Sequence, residues 1–414
     1  MNKVNSIISY LICLYIFIHP ILPSKFKYKG IPINGDSLLA FIILLYLVDI
    51  VINKESRIRF IRGIKDFFIN HNSIFLFLWI AMMGISVTYA TDKKLAIQEG
   101  IRMSTYVMLF FIIKYHMYKK EMINRIIYSC IGMSIIIGIV GIYEYLVGMG
   151  LNHKGEFESV IRVASTLENS NNLGSFFVLL VFPFIILAIK EKDKWRKNLY
   201  IFLSIISFSN IIISFSRNAW LALIIGYITL IFIFNFKLIY GAILGSGVIL
   251  FIPKIINRLK EVGDLSQNLS RISLWQIAIK MIRDNPILGV GNGNYRTLYS
   301  EYYNKIKHLT GYKAQENFHP HNAYLKAQCE LGIVGSISLI GFLISSLVKN
   351  NRFSNNVDNN FYKYFYKGFT ASIVAFMFMN FIDNFFSAPK VVAFFFIFLA
   401  ISDSYSYNIQ NKSL

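Results

Sequence analysis

The feature that most constrains this chain is its series of apolar runs. Several reach the roughly 20 residues that carry a helix across the hydrocarbon core of a bilayer. Twelve spans are read, at about 5–22, 36–52, 73–89, 101–115, 126–148, 172–189, 198–214, 219–235, 238–252, 321–348, 368–386 and 390–407. Composition points the same way. With 414 residues, 55% hydrophobic and 15% charged, and a mean hydropathy of +0.51, the chain has too little polar surface for a soluble domain. The expectation is an all-α integral membrane protein of about 12 transmembrane helices, a single polytopic domain over 1–414. A large helical extracytoplasmic loop, 253–320, is expected between spans nine and ten. No small-residue cleavage pattern follows the first run, which therefore reads as a span and not a removed leader.

Charge sets the expected orientation. The net charge of +20 lies in short clusters between spans and not on one continuous face, which favours the positive-inside rule over nucleic-acid binding. Lys54 to Lys65, Lys114 to Arg125, Lys190 to Lys197 and Lys349 to Lys367 are placed in the cytoplasm with both termini. Segments 149–170 and 253–320 are placed outside, and Lys25, Lys27 and Lys29 run against the scheme. Cys13, Cys130 and Cys329 have neither zinc-site nor disulfide-framework spacing. No internal repeat of the kind found in alternating-access transporters is evident.

Chemistry is expected between Ser270 and Gly335. On a helix over 271–283, Ser273, Gln276, Lys280, Arg283 and Asp284 gather on a polar arc, and Ile272, Trp275, Ala278, Ile279 and Ile282 on an apolar one. Arg271 falls in the middle of the apolar arc, with Ser270 as the expected N-cap. An arginine at a capped helix start, adding its donors to free backbone N–H groups, suits an anion. Arg217 lies in a turn, 214–218, too short to leave the membrane surface, where a charge is costly unless it snorkels or serves a ligand. The run Gly289-Val290-Gly291-Asn292-Gly293-Asn294 lacks the pattern of a phosphate loop and reads as a turn after a helix that ends at Asp284-Asn285-Pro286.

His321 opens span ten and can take a proton near neutral pH. Gly332 and Gly335 share its helix face and are expected to admit another helix. Lys326 and Glu330, four apart, are expected to pair. His319 and His321 form a His-x-His pair, but no third ligand of suitable spacing stands nearby, so no metal is expected. Glu144 and Asp383 lie near the outer ends of spans five and eleven, either as functional acids or as partners of Arg162, Arg217 or Arg271.

Together these residues resemble the O-antigen ligase and polymerase family of bacterial membrane glycosyltransferases. Ser214-Phe215-Ser216-Arg217-Asn218-Ala219-Trp220 resembles the family's S-R-x-A-W turn. Arg271 with Trp275, then Asn285-Pro286 and Gly289-Val290-Gly291, resembles its R-x3-W, P and G-x-G signature. His321-Asn322 followed after nine residues by Gly332 resembles its H-N-x9-G motif, which singles out His321 over His319. Arg162 to Asn172 is a fourth, weaker match. The resemblance covers about 160–340; the flanking spans agree in number and hydrophobicity.

The resemblance implies an undecaprenyl-diphosphate-linked saccharide as donor and transfer of its glycan to an acceptor hydroxyl on the outer face of the bacterial inner membrane. It implies no nucleotide, metal or other cofactor. His321 is the implied catalytic base, with Arg217, Arg271, Asn322 and Arg162 binding substrate. The acceptor is a glycan, lipid or wall polymer; membrane lipids are partners and nucleic acid is not. Three readings compete with a ligase: a polymerase of lipid-linked repeat units or a protein O-oligosaccharyltransferase sharing the chemistry, a lipid-linked-saccharide transporter, and a non-catalytic scaffold. A transporter predicts charges lining mid-span cavities, whereas here the key charges gather at one membrane face. A scaffold leaves the position of Arg271 unexplained.

Overall fold

The computed structural model describes residues 3–24, 27–28, 31–154, 159–241, 265–306 and 319–409. Helices dominate: α1 (Lys3–Ile21), α2 (Gly35–Ile52), α3 (Lys54–Ile69), α4 (His71–Ser86), α5 (Lys93–His116), α6 (Lys120–Leu146), α7 (Ser170–Lys190), α8 (Lys194–Ile213) and α9 (Arg217–Ile233). After residues 242–264 follow α10 (Leu265–Asp284), α11 (Tyr295–Lys305), α12 (Ala323–Asn356), α13 (Asn360–Ile382) and α14 (Pro389–Ser404). Two short antiparallel hairpins, β1–β2 (Lys27–Tyr28 with Ile31–Pro32) and β3–β4 (Leu151–Lys154 with Ser159–Arg162), decorate the bundle.

Every expected span except the ninth coincides with a helix. Span nine falls outside the described residues from 242 onward. Among the described residues, 8 helices are long and apolar enough to cross a membrane, or 9 if the bent pair α3–α4 counts as one span, so twelve is not reached. α9, with 17 residues, is short for a span, and α8 opens on Lys194, Arg196 and Lys197. The basic stretch 54–65, expected as a loop, is helical, and α3 meets α4 at 90°. Asn53 caps α3, its side chain accepting from the Glu55 N–H.

The core sits where α7 packs on α8 and α13, α12 on α4 and α13, and α14 on α5. Of the apolar window, 83% is buried in α7 and in α14, against 28% in α2. α7 and α14 are therefore interior helices, apolar all round, while α2 lies at the rim. A second, smaller core joins Leu274, Ile277, Ala278 and Met281 of α10 to Tyr295, Tyr299 and Tyr302 of α11 and Cys329 of α12. The helical part of the expected loop is thus seated on the first half of α12.

Candidate active site

The turn between α8 and α9 is held rigidly. Trp220 Nε1 donates to the Ile211 carbonyl at 3.0 Å, the Ser216 hydroxyl accepts from the Ala219 N–H at 3.4 Å, and Asn218 Nδ2 donates to the Met379 carbonyl of α13 at 3.0 Å. Phe215 takes φ +47°, the left-handed conformation that closes so short a turn. Gly174 of α7 backs it; a Cβ there would lie 2.6 Å from that of Ala219. These contacts present the half-buried Arg217 as the first residue of α9, beside the end of α13.

That end of α13 carries Asp383, which follows the last helical residue. Asp383 Oδ1 accepts from His321 Nδ1 at 2.9 Å and from the Asn384 N–H at 2.9 Å, and its backbone carbonyl accepts from the Ala323 N–H at 3.2 Å. Burial by itself would raise the Asp383 carboxyl; the hydrogen bond from His321, followed by the neighbouring imidazoles and the Asn384 N–H, holds the group below its ordinary value. An ionised Asp383 accepting from Nδ1 puts the proton of neutral His321 on that nitrogen and leaves the Nε2 lone pair open. His321 itself takes φ +45°, a conformation costing about 1–2 kcal/mol for a residue with a side chain. Its backbone N–H reaches His319 Nδ1 at 3.3 Å.

Arg271 does not start its helix. α10 begins by Leu265, so the expected N-cap at Ser270 is replaced by continuous helix. The buried face is also rotated from the expected arc. Leu274, Ile277, Ala278 and Met281 are buried, Ile272 and Ile279 are exposed, and Arg271, Trp275 and Ile282 lie along the boundary. Trp275 packs edge-on against Phe381 of α13, with ring centroids 5.8 Å apart. Lys280 pairs with Asp284 at 2.7 Å on the outer side. Arg217 and Arg271, 54 residues apart in sequence, therefore line one cavity of about 280 Å³ together with Asn218, Leu221, Ile272, Trp275 and Ile382. Ile382 directly precedes Asp383.

The glycine turn has a structural task. α12 breaks at Gly332 (φ +65°), and the carbonyls of Cys329 and Glu330 accept from the N–H groups of Val290 and Gly291 at 2.8 and 2.9 Å. The Ile333 N–H returns a bond to the Ile287 carbonyl at 3.2 Å. A Cβ on Gly332 would lie 1.9 Å from that carbonyl oxygen. Gly332 therefore admits the turn after α10, not another helix as expected. The Glu330 carboxylate accepts from the Gly293 N–H at 2.8 Å and pairs with Lys326 at 2.6 Å, as the spacing predicts.

The remaining expected site residues support the framework. Asn322 caps α12, its side-chain oxygen accepting from Tyr324 and Leu325 at 3.0 and 2.9 Å. Arg162 donates to the Ser214 carbonyl at 3.3 Å and to Asn171 Oδ1 at 2.8 Å, and Asn171 Nδ2 in turn reaches Asp383 Oδ2 at 3.4 Å. Glu144 accepts from the Ser165 N–H at 2.8 Å, and Asp383 takes His321 and not an arginine as its close ionic partner. Sequence spacing also gave no sign that Asp383 stands beside the histidines. His319, His321 and Asp383 each offer one ligand atom, all within 4.8 Å of one another, the group among the described residues that could hold a metal ion. Nothing in local spacing announces Asp383 there; it arrives from another helix.

Apolar helices with a polar site where α9 and α12 begin and α13 ends define a multi-pass helical membrane protein. Residues 202–340 match the family model described as O-antigen ligase, which supports membership of this chain in that family. An uncharacterized protein of Haemophilus influenzae is similar, 22% identical over 364 residues, covering 82% of this chain and 84% of its own length. The family match supports a ligase- or polymerase-like membrane glycosyltransferase in a bacterial membrane. Arg217, Arg271 and His321 lie inside the matched range; Arg162 and Asp383 lie outside it.

Proposed function

We propose that the chain transfers a glycan from an undecaprenyl-diphosphate-linked donor to an acceptor hydroxyl on the outer face of the inner membrane. The observation that carries this reading is the convergence of Arg217 and Arg271 on one cavity lined also by Ile382, the residue before the Asp383 that pairs with His321. Planar guanidinium groups pair bidentately with phosphate oxygens. The two arginines hold the donor's pyrophosphate and stabilise the charge that grows on it as the sugar–phosphate bond breaks. The acceptor oxygen attacks the anomeric carbon, the electron pair of the old C–O bond leaves on the pyrophosphate, and the hydroxyl proton passes to His321 Nε2. Asp383 orients that base through Nδ1. Direct displacement inverts the anomeric centre.

On this reading the prenyl chain lies along the apolar helices and the segment that carries α10 and α11 covers the reacting end. Both termini lie in the cytoplasm on this reading. A polymerase, with another lipid-linked repeat unit as acceptor, uses the same residues.

The test is in-membrane transfer from a lipid-linked donor, with donor retention measured separately. Lysine keeps the charge but loses the planar fork, so Arg217→Lys and Arg271→Lys should each lose at least tenfold in transfer. A snorkelling arginine tolerates lysine. Lys280→Ala and Arg283→Ala, on the outer side of α10, should stay active. Parental rates in both lysine variants would sink the clamp.

A further inference from the structure

The transfer reading uses His321 and Asp383 but gives His319 no part, although the three groups converge. We propose that His319, His321 and Asp383 form an inhibitory site for a zinc-like divalent transition metal, which switches off the base. This rests on the reading of His321 as that base.

The geometry is close to what such an ion needs. Zinc binds imidazole nitrogen at about 2.0–2.1 Å and carboxylate oxygen at about 2.0–2.2 Å, so tetrahedral ligand atoms stand about 3.4 Å apart. Here they lie within 4.8 Å of one another, and His321 Nδ1 and Asp383 Oδ1 are already 2.9 Å apart. Side-chain rotation would have to draw the wider pairs together and open the His321–Asp383 pair to seat an ion. The histidine rings lie 4.1 Å apart between centroids, inclined at 42°. Two imidazoles and a carboxylate select zinc, cobalt, nickel or copper over magnesium or calcium. Three protein ligands leave a fourth position for water.

The consequence for transfer does not depend on which His321 nitrogen binds. A metal on Nε2 occupies the lone pair directly. A metal on Nδ1 displaces the proton from that nitrogen, and the neutral ring then carries it on Nε2. Either way no lone pair remains to accept the acceptor's proton.

The test uses metal alone first. Purified protein in lipid nanodiscs is titrated with Co²⁺, and the visible d–d absorption of a low-symmetry site is followed. One equivalent should bind, Zn²⁺ should displace it, and His319→Ala should weaken binding at least tenfold. In the transfer assay, Zn²⁺ should inhibit, a chelator should restore the rate, and His319→Ala should need at least tenfold more Zn²⁺ for half-inhibition relative to its own metal-free rate. Co²⁺ binding unchanged in His319→Ala, or absent at millimolar metal, overturns the site. Loss of transfer in chelator overturns the inhibitory role. The absorption arm reads the site even if no transfer from a lipid-linked donor is found.

Discussion

His321 combines a strained backbone, an open Nε2 and a carboxylate fixing its other nitrogen. General-base help is worth about 10²–10⁴-fold. His321→Ala should therefore lower transfer by about that factor with protein level and donor retention near parental, and His319→Ala should be milder. Asp383→Asn is a sharper probe. Its amide can donate to Nδ1, favouring the tautomer with the proton on Nε2, so transfer should fall nearly as far as in His321→Ala while the protein still folds. Near-parental transfer in Asp383→Asn would mean the carboxylate only braces the helix ends. From sequence, His321 and both arginines are legible because their motifs are local. Asp383 as the partner of His321 is not, since 62 residues separate the two and only the packing of α12 against α13 joins them.

Elements show a second limit of the sequence. The buried face of α10 is misjudged because apolarity and burial part company in a membrane protein: Ile272 and Ile279 are apolar and exposed, whereas Ser273 is polar and buried. The glycines are recognisable as a turn, but their partner, the broken middle of α12, is not. Gly332→Ala tests that joint. It adds about 1–2 kcal/mol of backbone strain and drives a methyl into the Ile287 carbonyl. Its thermal midpoint in detergent should drop by several degrees and transfer should fall with it. Gly84→Ala, which meets nothing within 4 Å, should melt with the parent. Equal melting of the two variants would mean that the turn and helix are not tied at Gly332.

For the whole molecule, span positions were legible because a run of apolar residues is a one-dimensional signal; the number of true crossings was not, because α3, α8 and α9 mix charge or short length with apolar faces. α12 runs from the site to the far end and α13 returns, with Asp383 beside Ala323. Reporter fusions after Lys197 and Lys363 should accordingly read cytoplasmic, and fusions within 290–315 external. A cytoplasmic signal from 290–315 would remove the proposed site from its substrates. The burial of α14 carries a consequence for biogenesis. The ribosome delivers this helix after all the others described, yet its side chains fill the middle of the bundle. Until residues 389–404 emerge, the faces of α5 and α7 that pack against this helix lack their partner. Final assembly would thus be a late step, and a chain truncated before residue 389 should be degraded faster than the full chain.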